Sequence, residues 1–512
     1  MKKQYLATID ITSYGIYMRI YEKNEIKGFK IIEKLDYETI IGRDIYSTKE
    51  ITFQKIKEIV EAIDKMKEII KAYKIRKVIL YGTTAIREAE NWEYLEDQIK
   101  IKTNLNLKIY DRLEENYLVY KQIDHLLEKD KNYSSKTNMI LYVGLGSIGV
   151  AIVRKGHFIY SSNISLGSLK LIEMAEITSI KSKYKNEFFD DYTANLFENI
   201  IEDFPEGIDI ENIIITGRFY DLIIEKIKEK EKIELVEKID RKDLWKYYNK
   251  VKDLSIEEFS DEYNVREEKG EVIFPKIMVL KKFSDIFKKD DIVYVDFSLS
   301  DSIAYDYFYP LEAKKINMEF QEDTIIISKE RAKRFNYNDK KIRKTENIIE
   351  QIFNELKESH GLTKQELLYL KIANIFKETG KYIKSYDYYD YSYKIFETVE
   401  LLGLCKEDVK IISEILKYYD KNLKRLYSRS NLTKENKLIV SKLILIIKIA
   451  NGLIINKKNR VKDVIVELEN NQLTLKVITD EKIYNEKLEI ELQKESFENT
   501  FGIKLSMKEI NN

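Results

Sequence analysis

Residues 4–21, QYLATIDITSYGIYMRIY, alternate apolar and polar positions on both sides of a small-residue turn, the pattern of a β-hairpin. Ile56, Ile59, Val60, Ile63, Met66, Ile69 and Ile70 then recur at helical spacing through residues 52–74. KVILYG follows as a buried strand, and TTAIREAEN opens another helix. A second hairpin is predicted over residues 138–162, NMILYVGLGSIGVAIVRKGHFIYSS. It repeats the strand, small-residue turn, strand plan about 130 residues further on, which implies an internal duplication. A further apolar strand lies in ENIIITGRFYDLI and runs into a turn and a helix. Strands alternating with helices predict an α/β class with parallel strands.

From about residue 330 the pattern is helical. ENIIEQIFNELKESHG, KQELLYLKIANIFKETG and LTKENKLIVSKLILIIKIANGL each show a 3.6-residue apolar period, and the first two are expected to stop at Gly361 and Gly380. The pattern returns to strands in VKDVIVELENNQLTLKVIT, turning at Asn470 and Asn471, before a helix in QKESFENTFG. Four segments are predicted: α/β domains at 1–130 and 131–310, a helical domain at 322–460, and a small α+β module at 461–512.

At 512 residues the chain exceeds one core, so two to four domains are expected. The 88 basic residues balance the 88 acidic ones, so bulk charge does not favour nucleic acid or anionic lipid, and a polyanion must be held by local groups. No run of eighteen apolar residues is present, and MKKQYLATIDIT leads into a strand pattern without a signal-type apolar region, so a cytoplasmic protein without membrane contact is expected. Cys405 is the single cysteine, which excludes an internal disulfide. His125, His157 and His360 lack ligand spacing, which argues against a zinc or histidine-based di-metal centre. SYDYYDYSYKIF could stack nucleobases, but Asp387 and Asp390 lie inside it, so a packed helix surface is expected.

ATIDITSYGIYMRI resembles the phosphate loop of the Ppx/GppA exopolyphosphatase and guanosine pentaphosphate phosphohydrolase family, AAIDIGSNSIRLVI. The likeness continues in register through YGTTAIREAENWEYL, NLKIYDRLEENYLVYKQI, LYVGLGSIGVAIV and NISLGSLKL. It implies two actin-like (ribonuclease H-like) ATPase domains, followed by an all-α HD-like domain and the small α+β module. It also implies hydrolysis of a terminal phosphoanhydride of polyphosphate or guanosine pentaphosphate, with Mg2+, in a homodimer.

Carried over residue by residue, the resemblance implies Asp10 as a metal ligand and Glu115, with Glu114, as the catalytic carboxylates. Thr12, Ser13, Arg87, Gly144, Gly146 and Ser147 are the implied phosphate-binding positions, with Arg87 alternatively bracing the loop of Glu115. The chain departs from the pattern where Tyr142 and Gly149 replace two acidic residues, and where Thr12 replaces a glycine. Magnesium needs oxygen ligands, so impaired catalysis is expected, as is a gain in hydrolysis from Tyr142→Asp with Gly149→Glu. A non-catalytic sensor of polyphosphate or a guanosine nucleotide is the alternative. In the helical domain, Lys377, Glu378, Tyr386–Tyr391, Tyr418–Asp420 and Asn451 occupy the places of the HD metal ligands, and no metal is expected there.

Overall fold

The computed structural model describes residues 4–24, 28–42, 45, 48–177, 185–230, 232–335, 337–456 and 460–510. The chain divides into two compact units, Met1–Asp323 and Thr324–Asn512.

The first unit carries two sheets. In one, β1 (Tyr5–Ile11), β2 (Gly15–Asn24) and β3 (Gly28–Glu38) form an antiparallel meander, and β4 (Val78–Gly82) and β5 (Leu107–Ile109) extend it in parallel, in the order β3-β2-β1-β4-β5. The other contains β6 (Thr137–Val143), β7 (Ile148–Arg154), β8 (His157–Ile164), β9 (Asn212–Thr216), β10 (Val236–Asp240) and β11 (Asp291–Val295), in the order β10-β11-β9-β6-β7-β8. The stretch β8-β7-β6-β9-β11 repeats the order and directions of the first sheet, and β10 is added antiparallel at its edge. The duplication read from the two hairpins is therefore a duplication of sheets.

Central strands buried on both faces need continuous apolar runs rather than alternation. Ile213, Ile214 and Ile215 of β9 and Met139, Ile140 and Leu141 of β6 supply them and are at most 1% exposed. The helix Phe53–Ala72 shows the expected stripe, with Ile56, Ile59, Val60, Ile63, Met66 and Ile70 buried, and Thr52 caps its start by accepting from the Lys55 amide. Asp10 near the end of β1 and Arg218 just after β9 meet in an ion pair, which brings the ends of these two central strands to one site.

The second unit begins with helices at Asp339–Glu355, Lys364–Phe376, Tyr389–Thr398, Lys406–Tyr418 and Lys434–Gly452, among shorter ones. It ends in a three-stranded sheet, β12 (Asp463–Glu469), β13 (Gln472–Ile478) and β14 (Lys504–Ile510), with a helix at Tyr484–Phe501. Asn470 and Asn471 both have positive φ, the requirement of a tight hairpin turn, and join β12 to β13 as expected. Gly361 follows the short helix Lys357–His360 at φ +64° as a helix stop. Gly380 does not act that way. It lies inside the 3₁₀ turn Thr379–Tyr382, where a Cβ would come within 2.1 Å of the Tyr388 carbonyl oxygen, so its role is close packing.

Several of the positions matched to HD ligands are occupied by side chains paired or packed with their neighbours. Lys377 is buried and donates to the Asn374 side chain at 2.5 Å, and Glu378 pairs with Lys341 and Lys381. The Tyr388 hydroxyl donates to that of Tyr389 at 3.1 Å, and the Tyr389 ring packs on Tyr419 at 5.0 Å. The tyrosine-rich segment thus packs in part, while Tyr386 stays exposed.

Candidate active site

Asp10 lies near the end of β1, paired with Tyr17 of β2 and Tyr81 of β4. Its Oδ2 accepts from Arg218 Nη2 at 2.9 Å, and its buried Oδ1 has no hydrogen-bond partner among the described residues. Burial pushes the Asp10 carboxyl up to about 6, with Arg218 opposing and Glu115 adding to the rise. The carboxylates of Asp10 and Glu115 therefore lie within electrostatic reach of each other.

Glu115 is placed by the start of the helix Arg112–Leu127. Asp111 caps that helix, and Glu114 completes a capping box by accepting from the Asp111 amide at 3.2 Å. Glu114 also pairs with Lys108, so its carboxylate is spent on the helix end. Glu115 is buried and accepts from the Tyr142 hydroxyl at 3.1 Å and from Arg87 Nη1 at 3.4 Å. Burial and the neighbouring Glu115 hold the Tyr142 hydroxyl far above its ordinary pKa, so it stays a neutral donor. Arg87 further donates to the Tyr110 carbonyl and to the Thr84 hydroxyl. Its guanidinium braces the entry to the helix of Glu115.

The two turns differ in what they offer. In the first, the Thr12 hydroxyl accepts from the amides of Tyr14 and Gly15, both at 3.2 Å, and donates to the Gly15 carbonyl. Thr12 thereby consumes amides that a phosphate loop would present. Ser13 is buried beside it, and its carbonyl accepts from the Gly42 amide at 2.7 Å. In the second turn Gly144 donates to the Ser147 carbonyl at 2.8 Å, and the amides of Gly146 and Ser147 donate to no acceptor among the described residues. The second turn leaves two amides without acceptors among the described residues, and the first has turned its amides onto Thr12.

Three residues of this site escaped the sequence reading. Arg218 follows β9 directly after Gly217, in the ITGR segment, and its guanidinium lies 3.4 Å from the centroid of the Tyr17 ring. Lys276 is buried in the helix Glu267–Phe287 and donates to the Val143 carbonyl at 2.7 Å, beneath the second turn. A cation closing an apolar strand was a legible signal for Arg218. Nothing local marked Tyr17 or Lys276.

A magnesium ion does not fit this donor set. It demands octahedral oxygen ligands, whereas three of the four carboxylate oxygens of Asp10 and Glu115 already accept from Arg218, Tyr142 and Arg87. Among the described residues no group of three or more His, Cys, Asp and Glu could hold a metal ion.

Comparison with known proteins agrees with the fold. The sequence model of the Ppx/GppA phosphatase family matches residues 19–308, and that of the family's domain III matches residues 327–497. A solved Ppx/GppA family member from Aquifex aeolicus is 18% identical, with a TM-score of 0.50 over 60% of this chain and 99% of that one. An exopolyphosphatase from Cytophaga hutchinsonii is 16% identical, with a TM-score of 0.52 over 59% of this chain and 97% of that one. An exopolyphosphatase-like protein is 17% identical, with a TM-score of 0.51 over 60% and 98%. At these identities the structures establish the fold alone. No curated protein matches. Among the described residues no helix is long and apolar enough to cross a membrane. With residues 19–308 matched by the family's own sequence model and residues 327–497 by that of its domain III, the chain belongs to the Ppx/GppA phosphatase family.

Proposed function

We propose that this protein acts in the cytoplasm on the terminal phosphoanhydride of polyphosphate or guanosine pentaphosphate, and that it turns the substrate over slowly. The observation that carries this reading is the placement of Glu115. It is buried, oriented by Tyr142 and Arg87, and lies within electrostatic reach of Asp10. A carboxylate held in that way can take the proton of an attacking water, work that contributes typically about 10² to 10⁴ in rate. The amides of Gly146 and Ser147 supply donors for the phosphate oxygens. Phosphoryl transfer depends on positioning and on compensating charge. Tyr142 and Gly149 bring no carboxylate, and Thr12 closes the first turn on itself, so slow turnover follows.

The ion pair of Asp10 with Arg218 favours a second reading, a sensor that binds the phosphate chain without cleaving it. Phosphate release from long-chain polyphosphate and from guanosine pentaphosphate, run beside a binding titration of the same ligands, separates the two. Release that disappears in Glu115→Gln supports the hydrolase, and binding without release supports the sensor. Neither binding nor release would refute both.

A further inference from the structure

We infer that Arg218 is the resident cation of this cleft, and that it holds the phosphoanhydride directly so that binding needs no divalent metal. The inference rests on reading the cleft as a phosphoanhydride site, and it assigns the charge that site uses.

Arg218 is held from two sides. Nη2 donates to Asp10 Oδ2 at 2.9 Å, and the guanidinium carbon sits over the ring of Tyr17, the strand partner of Asp10, 3.4 Å from its centroid. A guanidinium stacked on a ring and tied to a carboxylate has few conformations left to lose when it binds an anion. The turn before it fixes the approach. Gly217 has φ +141°, and a Cβ there would come within 2.3 Å of the Val143 carbonyl oxygen, so β9 can release the chain toward Asp10 only with glycine at that position.

Arg218 also has donors to give. Asp10 is its only hydrogen-bond partner among the described residues, and its side chain keeps 24% of its surface accessible. A guanidinium carries five N–H donors in a planar fork that suits phosphate oxygens, so the remaining N–H groups are available to a ligand. Of the four carboxylate oxygens of Asp10 and Glu115 only Asp10 Oδ1 is without a donor among the described residues, one ligand where a divalent ion needs several, whereas the Arg218 charge is already in place.

The test uses the full-length protein and inorganic tripolyphosphate, with calorimetry in EDTA and in magnesium. Binding in EDTA within about threefold of that in magnesium is expected. Arg218→Gln should weaken binding in EDTA by roughly 10- to 100-fold, the range of a lost charged hydrogen bond, with partial rescue in Arg218→Lys. Asp10→Asn should bind several-fold tighter in EDTA, because it removes a negative charge and frees the guanidinium. If Asp10 is instead a metal ligand, the same variant loses binding. Wild-type binding seen only with magnesium, or weakened by Asp10→Asn, overturns the inference and leaves the proposed function standing. Absence of binding in EDTA and in magnesium alike overturns both. Should Arg218→Gln fail to fold, the Asp10→Asn titration still decides.

Discussion

Tyr142 and Gly149 are direct partners across the antiparallel β6–β7 pair, so the two positions where the family pattern places acidic residues are a single place in space. The helix that carries Glu115 has settled onto that place. A Cβ at Gly149 would lie 2.2 Å from the Tyr120 hydroxyl and 2.7 Å from the Asn116 amide nitrogen. The gain expected from Tyr142→Asp with Gly149→Glu is therefore obstructed, because the second substitution collides with the helix that carries Glu115. Gly149→Ala alone should destabilise the first unit by about 1 to 3 kcal/mol, the usual range for overpacking. A calorimetric melt checks this, and Asn116→Ala with Tyr120→Phe in the Gly149→Ala background should recover part of the loss. A melt unchanged by Gly149→Ala would mean that the helix yields freely.

Glu115→Gln should keep the fold, since the amide oxygen can still accept from Tyr142. It should lower phosphate release by about 10² or more, the contribution of a general base. Glu114→Gln should change release little, because Glu114 caps its helix and pairs with Lys108. Equal losses in the two variants would show that the helix end, and not the Glu115 carboxylate, limits the reaction.

Much of this was legible in the sequence, and the illegible parts share a cause. Hairpins at 4–21 and 138–162 announced themselves because their turns and apolar runs are local, and their repetition predicted the duplicated sheets. Glu115 and the turn at Gly144–Ser147 were singled out from ordered motifs, and the structure sets Glu115 against Tyr142 of the strand that leads into that turn. Arg218 was visible as a cation closing an apolar strand, but its meaning depends on a pairing with Asp10 across 208 positions of sequence. Lys276 was invisible for the same reason: in a helix pattern a lysine reads as solvated, and only the fold shows it buried against Val143. Thr12 read only as the replacement of a glycine, and the structure adds that its hydroxyl closes the turn.

In the second unit, Lys377→His should not create a metal site. Asn374 already accepts from the lysine ammonium, and the neighbouring tyrosines pack against one another. A histidine beside Glu378 would still lack imidazole partners, and Glu378 is committed to Lys341 and Lys381. Elemental analysis of the purified variant after incubation with manganese, iron or zinc should find no stoichiometric metal. One equivalent bound would show that Tyr419 and Asn451 can turn aside to make room.

Lys276 makes a prediction about pH whose sign can be worked out. Burial, with the nearby Arg218, lowers its ammonium from the ordinary 10.5 to about 7. Between about pH 7 and 10.5 the unfolded chain holds a proton at this position that the folded chain lacks, so this group makes stability rise with pH across that window. The cost of the buried ammonium is thus fullest below pH 7 and is relieved as the pH climbs. A shift of that size corresponds to about 5 kcal/mol over the whole window. Lys276→Met removes the slope but leaves the Val143 carbonyl without its donor, at about 1 to 3 kcal/mol. The variant should therefore be more stable than the parent at pH 7, with the advantage shrinking steadily and vanishing or reversing by pH 10. Urea unfolding of both proteins at pH 7, 8.5 and 10 measures the difference, in which titrations common to the two cancel. A difference that stays constant with pH would show that Lys276 keeps its proton in the folded protein, and that the Val143 carbonyl with its surroundings stabilises a buried ammonium beneath the turn.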